Sequence, residues 1–342
     1  MRQVKFNMMK YFETQSTDPY FNLSFEEYIH KIHTHGDILI LWQNNNTIVY
    51  GLNQNPLEEI NLDKAEEYKV KVVRRNTGGG TVYHDMGNLN FSYITDWNDG
   101  KNADYELFLK PVIDAFSELG LTIEQKGRND LILDGKKISG SAQRLIKNRI
   151  LHHGTLLIDS DLDFLGRVLH VSQDKIKSKG IKSVRSRVTN IQDHVHEKVH
   201  ISHIKNLLLQ HWFKNEKVGK TTLNNSELAC IKKMAKEKYQ SWEWNYGRSP
   251  KFGFKNKKRF PGGEVQVNLD VKNGLIAKCI INGDFLGLQP VDAFEDRLIG
   301  EKYDAAVIGQ ILQTFPVHLL FGDITASEIV SCFFANDTFL GD

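Results

Sequence analysis

Apolar positions along the first third of the chain switch between two periods. Phe21, Phe25, Tyr28, Ile29 and Ile32 share one face of a helix over about 21–33, entered through Asp18-Pro19. Ile38-Leu-Ile-Leu-Trp42 is continuously apolar and predicts a strand. Asn44-Asn-Asn46 predicts a turn, and Thr47-Ile-Val-Tyr50 the strand that returns from it. A short helix over Leu62–Tyr68 and a strand over Val70–Val73 follow. Asn88-Leu-Asn-Phe-Ser-Tyr-Ile94 alternates as a half-buried strand does, whereas Tyr105, Phe108, Leu109, Val112, Ile113, Phe116 and Leu119 line a helix that Gly120 stops.

Beyond residue 120 the signals shorten. Leu121–Glu124, Leu131–Leu133, Lys137–Ser139 and Thr155–Ile158 read as brief strands, with Asp134-Gly135 as a hairpin turn. Helices are expected near 162–170, 202–213 and 226–239. The composition then shifts. Trp242-Glu-Trp-Asn-Tyr-Gly-Arg-Ser-Pro250 leads into a basic stretch and Pro261-Gly-Gly263, after which Val265–Val271 and Ala277–Ile281 form a hairpin and two helices close the chain. The pattern predicts an α+β protein with a mixed-sheet large domain over 1–247, a linker over 248–263 and a small α/β C-terminal domain over 264–342.

Composition narrows the class. With 40% hydrophobic and 25% charged residues in 342, two domains can each bury a core without disulfides or a structural metal. The three cysteines, Cys230, Cys279 and Cys332, are far apart and form no C-x-x-C pair, which fits a reducing cytosol. A net charge of +2 implies no general attraction to nucleic acid. No apolar run reaches the roughly 18 residues of a membrane helix. The start, Met1–Met9, has no apolar core of signal-peptide length. A cytoplasmic protein with no membrane or nucleic-acid partner is expected.

Four segments carry candidate chemistry. In Val72-Val-Arg-Arg-Asn-Thr-Gly-Gly-Gly-Thr-Val-Tyr-His-Asp85, three glycines leave backbone N–H groups uncovered beside two arginines, so the loop can hold an anion by charge and by amides. It has neither the P-loop spacing nor a helix after the glycines. Asn129 and Asp130 offer oxygens suited to Mg²⁺, and Lys137 opens the strand that runs into Ser139-Gly-Ser-Ala142. His152-His-Gly-Thr155 reads as a small polar turn able to close one wall of a pocket. Lys175–Val188 sets six basic residues in thirteen positions around Gly180, as a loop closing over a nucleotide would. Each has a plainer reading: a tight turn, a surface hairpin, core-edge histidines and a solvated basic face. His194, His196, His200 and His203 lack metal-ligand spacing, and Trp242, Trp244 and Tyr246 read as packing between domains.

Taken together the segments resemble the lipoate–protein ligase family over almost the whole chain. The matches run through Asp18-Pro19, Asn22-Leu23, Glu26-Glu27, Gly51, Gln54-Asn55, Val73–Arg75, Gly78–Gly80, Val82–Asp85, Gly87-Asn88, Gly127–Asp130, Lys137–Ala142, His153–Thr155, Gly180–Val188 and Trp242–Pro250. The resemblance implies a catalytic domain of the biotin/lipoate ligase type. It implies ATP, Mg²⁺ and lipoate as ligands, and formation of lipoyl-AMP followed by transfer to a lysine. The acceptor would be a lipoyl domain, on the glycine-cleavage H protein or an E2 subunit of a 2-oxoacid dehydrogenase; a monomer is expected. Carried over, Arg74, Arg75, Gly78, Gly79 and Gly80 hold the lipoyl chain and adenylate, with Thr81, Val82 and Tyr83 beside ATP. Lys137 is the catalytic lysine. Asn129, Asp130, His153, Gly154, Thr155, Lys182 and Ser183 complete the binding set, and Asp130 is the metal ligand. Asn76-Thr77 before the glycines and Thr81 after them depart from the family's usual Ser and Ala, which bears on fine specificity.

Three rival readings remain in view. A thioester-forming octanoyl or lipoyl transferase needs a cysteine nucleophile in the catalytic domain, and residues 1–229 contain none. A biotin ligase would carry a differently patterned, more Arg-rich glycine loop. A lipoate-binding paralogue without turnover is argued against by Lys137, Asn129 and Asp130.

Overall fold

The computed structural model describes residues 9–97, 105–168, 187–214, 219–246, 253–272 and 274–334. A seven-stranded sheet forms the centre, in the order β1 (Lys10–Glu13), β2 (Ile38–Trp42), β6 (Asn88–Asp96), β10 (Arg149–Leu157), β9 (Lys136–Ile146), β8 (Asp130–Leu133), β7 (Ile123–Lys126). Only β1 and β2 run parallel; the other neighbours are antiparallel. A second sheet, in the order β4 (Lys71–Arg74), β3 (Thr47–Tyr50), β5 (Val82–His84), lies against it.

The alternation along β2 divides two layers of core. Leu39 and Leu41 pack with Leu89 and Phe91 against the helices Tyr105–Ser117 and Ile201–Trp212. Ile38, Ile40 and Trp42 face the other way, toward Leu23 and Ile29 of the helix Pro19–Ile32 and toward Val49 and Val73 of the second sheet. Successive side chains of a strand point to opposite faces, so β2 is apolar throughout because both faces are covered. Each fully buried Leu, Ile or Phe here contributes roughly 1.5–3 kcal/mol.

The strand expected to return from β2 does not. β3 joins a different sheet, because Asn44 is no exposed turn residue. Its buried amide accepts from Asn22 Nδ2 at 2.9 Å and bonds His84 Nδ1 at 3.1 Å, which draws the chain between β2 and β3 inward. β9 and β10 are also far longer than expected, forming one hairpin that turns at Lys147, whose φ is 53°. His152–Thr155 is therefore the middle of β10, not a turn. Its histidines and glycine carry no strand signal, but Phe91, Phe108 and Tyr105 pack around the His152 ring.

The C-terminal part is a three-stranded antiparallel meander, β11 (Phe254–Phe260), β12 (Gly263–Lys272) and β13 (Leu275–Gly283), under four helices, Asp292–Leu298, Ala305–Gln313, Val317–Phe321 and Ala326–Cys332, with its own core. Residues 254–260 are thus strand, followed by a turn at 261–262, where a linker was expected. Lys and Arg on the exposed positions of β11 hide the alternation of its half-buried Phe254, Asn256, Lys258 and Phe260. Among the described residues the closing helices number four, not two, because two are short enough to escape periodicity. This part docks on the larger one at several places, among them Gly283 N–H donating to Asn53 O at 2.7 Å. Gly79 N–H donates to Phe285 O at 3.2 Å, Leu145 N–H to Leu288 O at 2.8 Å, and Arg128 Nη1 stands 3.1 Å from Asp323 Oδ2.

Candidate active site

A cavity of about 630 Å³, counting its open mouth, lies between the two sheets of the larger part. Leu23, Trp42, Val49, Val82 and Ala142 supply an apolar wall. Arg75, Gly79, Gly80, Thr81, Asn129, Lys137, His153, Gly154 and Thr155 supply a polar one. Ten residues named from the sequence as ligand-binding line it, contributed by β5, β9, β10 and the loops before β5 and β8.

The three consecutive glycines have separate jobs. A Cβ on Gly78 would stand 2.5 Å from Phe285 O, so this residue makes room for the C-terminal part. Gly79 has a φ of +89°, a conformation that side chains resist. Gly80 has no atom within 4 Å of where its Cβ would be, and opens onto the cavity. Gly51 completes the turn: its Cβ would stand 1.9 Å from Gly79 O.

The two arginines divide as well. Arg74 was expected to hold the anion, but its guanidinium is buried and donates to the carbonyls of Leu52 (2.5 Å), Gln54 (2.9 Å), Trp244 (2.9 Å) and Asn245 (3.1 Å). Trp244 Nε1–H answers by donating to Arg74 O at 2.9 Å. Within the run Trp242–Tyr246, Trp244 and Asn245 therefore brace Arg74 inside the larger part, while Trp242 is exposed. Arg75 does line the cavity. Burial pulls its guanidinium down to about 10, against the pull of Glu26, which leaves it charged at neutral pH.

Lys137 lies at the start of β9, with its ammonium 2.7 Å from Asp130 Oδ1 and both side chains about one-third exposed (36% and 32%). Its side chain runs over Gly140, where a Cβ would stand 2.7 Å from Nζ. Its backbone is held by the chain beyond residue 186: Lys137 N–H donates to Arg187 O at 2.8 Å, and Thr189 N–H to Lys137 O at 3.0 Å. Asn129 Nδ2–H donates to Ser141 O at 2.7 Å, which ties the loop before β8 to β9.

Asp130 is engaged by Lys137 rather than free for a metal, although its second oxygen and the nearby Asn129 amide suit a cation shared with phosphates. Among the described residues no three His, Cys, Asp or Glu side chains gather as a metal site. Tyr83 and Gly78 stand outside the cavity lining. The Tyr83 ring stacks on Phe164 at 4.4 Å, and burial, then Asp85 and Asp161, push its hydroxyl up to about 12. Lys182 and Ser183, and all of Lys175–Val188 except its last two residues, lie outside the described residues.

The sequence reading missed Leu23, Trp42, Val49, His84, Asn90, Gly140, Ser141 and Ala142 as cavity lining. The apolar ones look like ordinary core residues until the second sheet is placed opposite them. His84 is pulled down to about 3 by burial, then by Arg75 and His153, and so is a neutral imidazole near pH 7. No cysteine lines the cavity: Cys230 is exposed, and Cys279 and Cys332 are buried in the C-terminal part.

Comparisons with known proteins give matches over both parts of the chain. The profile of the Lipoyl protein ligase A/B catalytic domain matches residues 18–213, and that of the Bacterial lipoate protein ligase C-terminus matches 249–333. Lipoate-protein ligase LplJ of Bacillus subtilis is 43% identical over 317 residues, covering 92% of this chain and 96% of that protein. The crystal structure of P. falciparum LipL1 in complex with lipoate aligns with a TM-score of 0.77 at 26% identity, covering 90% of this chain and 94% of that one. A lipoate-protein ligase A bound with ATP aligns with a TM-score of 0.61 at 28% identity, covering 70% and 98%.

Proposed function

The chain belongs to the lipoate–protein ligase family, and from that premise we propose that its cavity activates lipoate with ATP and passes the lipoyl group to a lysine of an acceptor lipoyl domain. The observation that carries this is one cavity in which a strand-held lysine, an uncovered glycine loop and an apolar wall meet. Leu23, Trp42, Val49 and Ala142 receive the acyl chain. Gly80, Thr81, Asn129 and Lys137 receive the carboxylate and phosphates.

In the first step a lipoate carboxylate oxygen attacks the α-phosphorus of ATP, the bond to the β-phosphate oxygen breaks, and pyrophosphate leaves. In the second, the acceptor's uncharged lysine amine attacks the carbonyl carbon of the mixed anhydride. AMP leaves with the bonding pair, and the amine's proton passes to solvent. Negative charge grows on phosphoryl oxygens in one step and on the acyl oxygen in the other. The Lys137 ammonium serves both, already oriented by Asp130 and by backbone bonds on either side. Mg²⁺, held by Asp130 together with the nucleotide's own phosphates, would neutralise phosphate charge.

The test is direct: purified protein with ATP and Mg²⁺ should release pyrophosphate only when lipoate is present. An added lipoyl domain should then gain one lipoyl amide by mass. Lipoate-independent release, or none, would refute this reading.

A further inference from the structure

A chain of buried hydrogen bonds with a pure donor at each end runs behind the cavity wall. The Trp42 indole N–H can only donate. It donates to Ser92 Oγ at 2.9 Å, and the Ser92 hydroxyl in turn donates to Glu26 Oε1 at 2.5 Å. From the other end, Arg75 Nε–H can also only donate, and its partner is Thr77 Oγ1 at 3.0 Å. Thr77 Oγ1 lies 2.8 Å from His153 Nε2, and with the Thr77 hydroxyl as donor the chain runs on into the imidazole. A neutral imidazole whose Nε2 accepts carries its proton on Nδ1, and Nδ1 lies 2.9 Å from Glu26 Oε1. All six side chains are buried.

The far side of Arg75 holds the glycine loop. Nη2 donates to Gly78 O at 2.6 Å and to Gly80 O at 2.8 Å, and Nη1 to Val49 O at 3.2 Å. In a trans peptide the C=O and the following N–H point opposite ways. Turning the Gly78 and Gly80 carbonyls toward Arg75 therefore turns the following N–H groups away from it: the Gly79 N–H meets Phe285 O at 3.2 Å, and the Thr81 N–H is left on the cavity side. The tilt of one guanidinium thus bears on where the Thr81 amide aims.

We propose that Glu26 and Thr77 are positioning residues of this ligase, which act through His153 and Arg75 to fix the aim of the glycine loop at the bound anion. The proposal rests on the functional reading above. Neither side chain lines the cavity, so neither touches the reacting atoms. Glu26 also supplies the buried negative charge facing Arg75, without which a cation enclosed this fully would be costly. The role of Thr77 is confined to its hydroxyl, which accepts from one neighbour and donates to the other. A serine would do the same, whereas a valine of nearly identical shape would leave Arg75 Nε–H and His153 Nε2 unpartnered.

The test compares Thr77→Val with Thr77→Ser in the full chain. Lipoate-dependent pyrophosphate release should fall at least about tenfold in Thr77→Val, the kind of loss small misplacements cause. It should stay near the unaltered rate in Thr77→Ser, with the two variants melting within a few degrees of each other. Nitrogen NMR of histidine-labelled protein adds a readout that does not depend on activity: His153 should carry its proton on Nδ1, and only Thr77→Val should disturb its signals. Thr77→Val working at full rate, Thr77→Ser failing as badly, or a proton found on His153 Nε2 would each overturn the proposal. An unaltered protein that releases no pyrophosphate would sink the functional reading instead, and the NMR comparison would still decide the relay. Glu26→Gln should slow release in the same direction as Thr77→Val, and an unchanged rate in a folded Glu26→Gln protein would also count against it.

Discussion

Replacing Lys137 by alanine separates chemistry from stability more sharply than any other single change. The ion pair with Asp130 spans 2.7 Å, but both side chains are about one-third exposed (36% and 32%). Solvent screening holds such a pair to about 0–1 kcal/mol of folding free energy. In a chain of this size that moves the melting midpoint by no more than about 4 °C. The chemical loss is larger. A preorganised charge aimed at developing phosphoryl charge is worth about 3 kcal/mol, or roughly a hundredfold in rate. Asp130, left without its cation beside the phosphates, pushes the same way. Pyrophosphate release at saturating lipoate and ATP should therefore drop about a hundredfold, with a comparable fall in transfer from presynthesised lipoyl-AMP, while the melt barely moves. Near-normal adenylation by Lys137→Ala would refute the assignment. A fall of many degrees in the melting midpoint would show instead that the lysine's role is structural.

Gly140→Ala should keep the fold but cut adenylation severalfold, since the new Cβ would meet the flexible end of Lys137, 2.7 Å from Nζ, rather than backbone; an unchanged rate would mean that the lysine's path over Gly140 is immaterial. Glu27→Gln tests a support of the helix Pro19–Ile32. Burial alone would raise the Glu27 carboxyl, but Lys238, with Lys31 and Tyr239, outweighs it and holds the group at about 2 instead of 4.5. A lowered carboxyl stabilises the fold above the unfolded value and loses that contribution as pH falls through the folded one. The gap between unaltered and Glu27→Gln protein in urea unfolding should thus be full above pH 4.5 and shrink toward pH 2. Its upper bound is about 3 kcal/mol, reduced because burial pulls Lys238 down at the same time; a gap independent of pH would contradict the ion-pair account. Serine at Cys230, Cys279 and Cys332 together should leave lipoate ligation running by the adenylate route, at some loss of stability from the two buried sites. A lipoyl thioester found by mass spectrometry and lost in that variant would overturn the route.

Much of the site was legible because its residues are odd for their positions. Three adjacent glycines after paired arginines, and a lysine opening a strand, are poor choices for mere packing. What the sequence hid is which atoms those residues face. Arg74 and Arg75 are indistinguishable as letters, yet one is clamped under Trp244 and the other faces the cavity. Glu26 sits on a helix whose period marks it only as a helix residue, and nothing local connects it to His153, which lies 127 positions away. The fold misreadings share a cause. β9 and β10 carry Gly, Ser, His and Asn that tertiary packing turns into strand, overriding weak local preference. In β11 the basic residues masked a two-residue period.

The pairing of residues 187–189 with the strand of Lys137 has a consequence for how such a chain tolerates change in length. Lys137 is addressed from behind by Arg187 O and Thr189 N–H, one on each side of Val188. Strand registers are discrete, and a slip of one residue turns every side chain to the opposite face. Added or deleted residues upstream of 187 therefore face an all-or-none choice: leave those two bonds intact, or break both. Gradual drift of the lysine is not among the options. Genetic insertions in that stretch should sort into silent and null classes with few partial phenotypes, whereas insertions after Lys137 itself, inside β9, should be uniformly null.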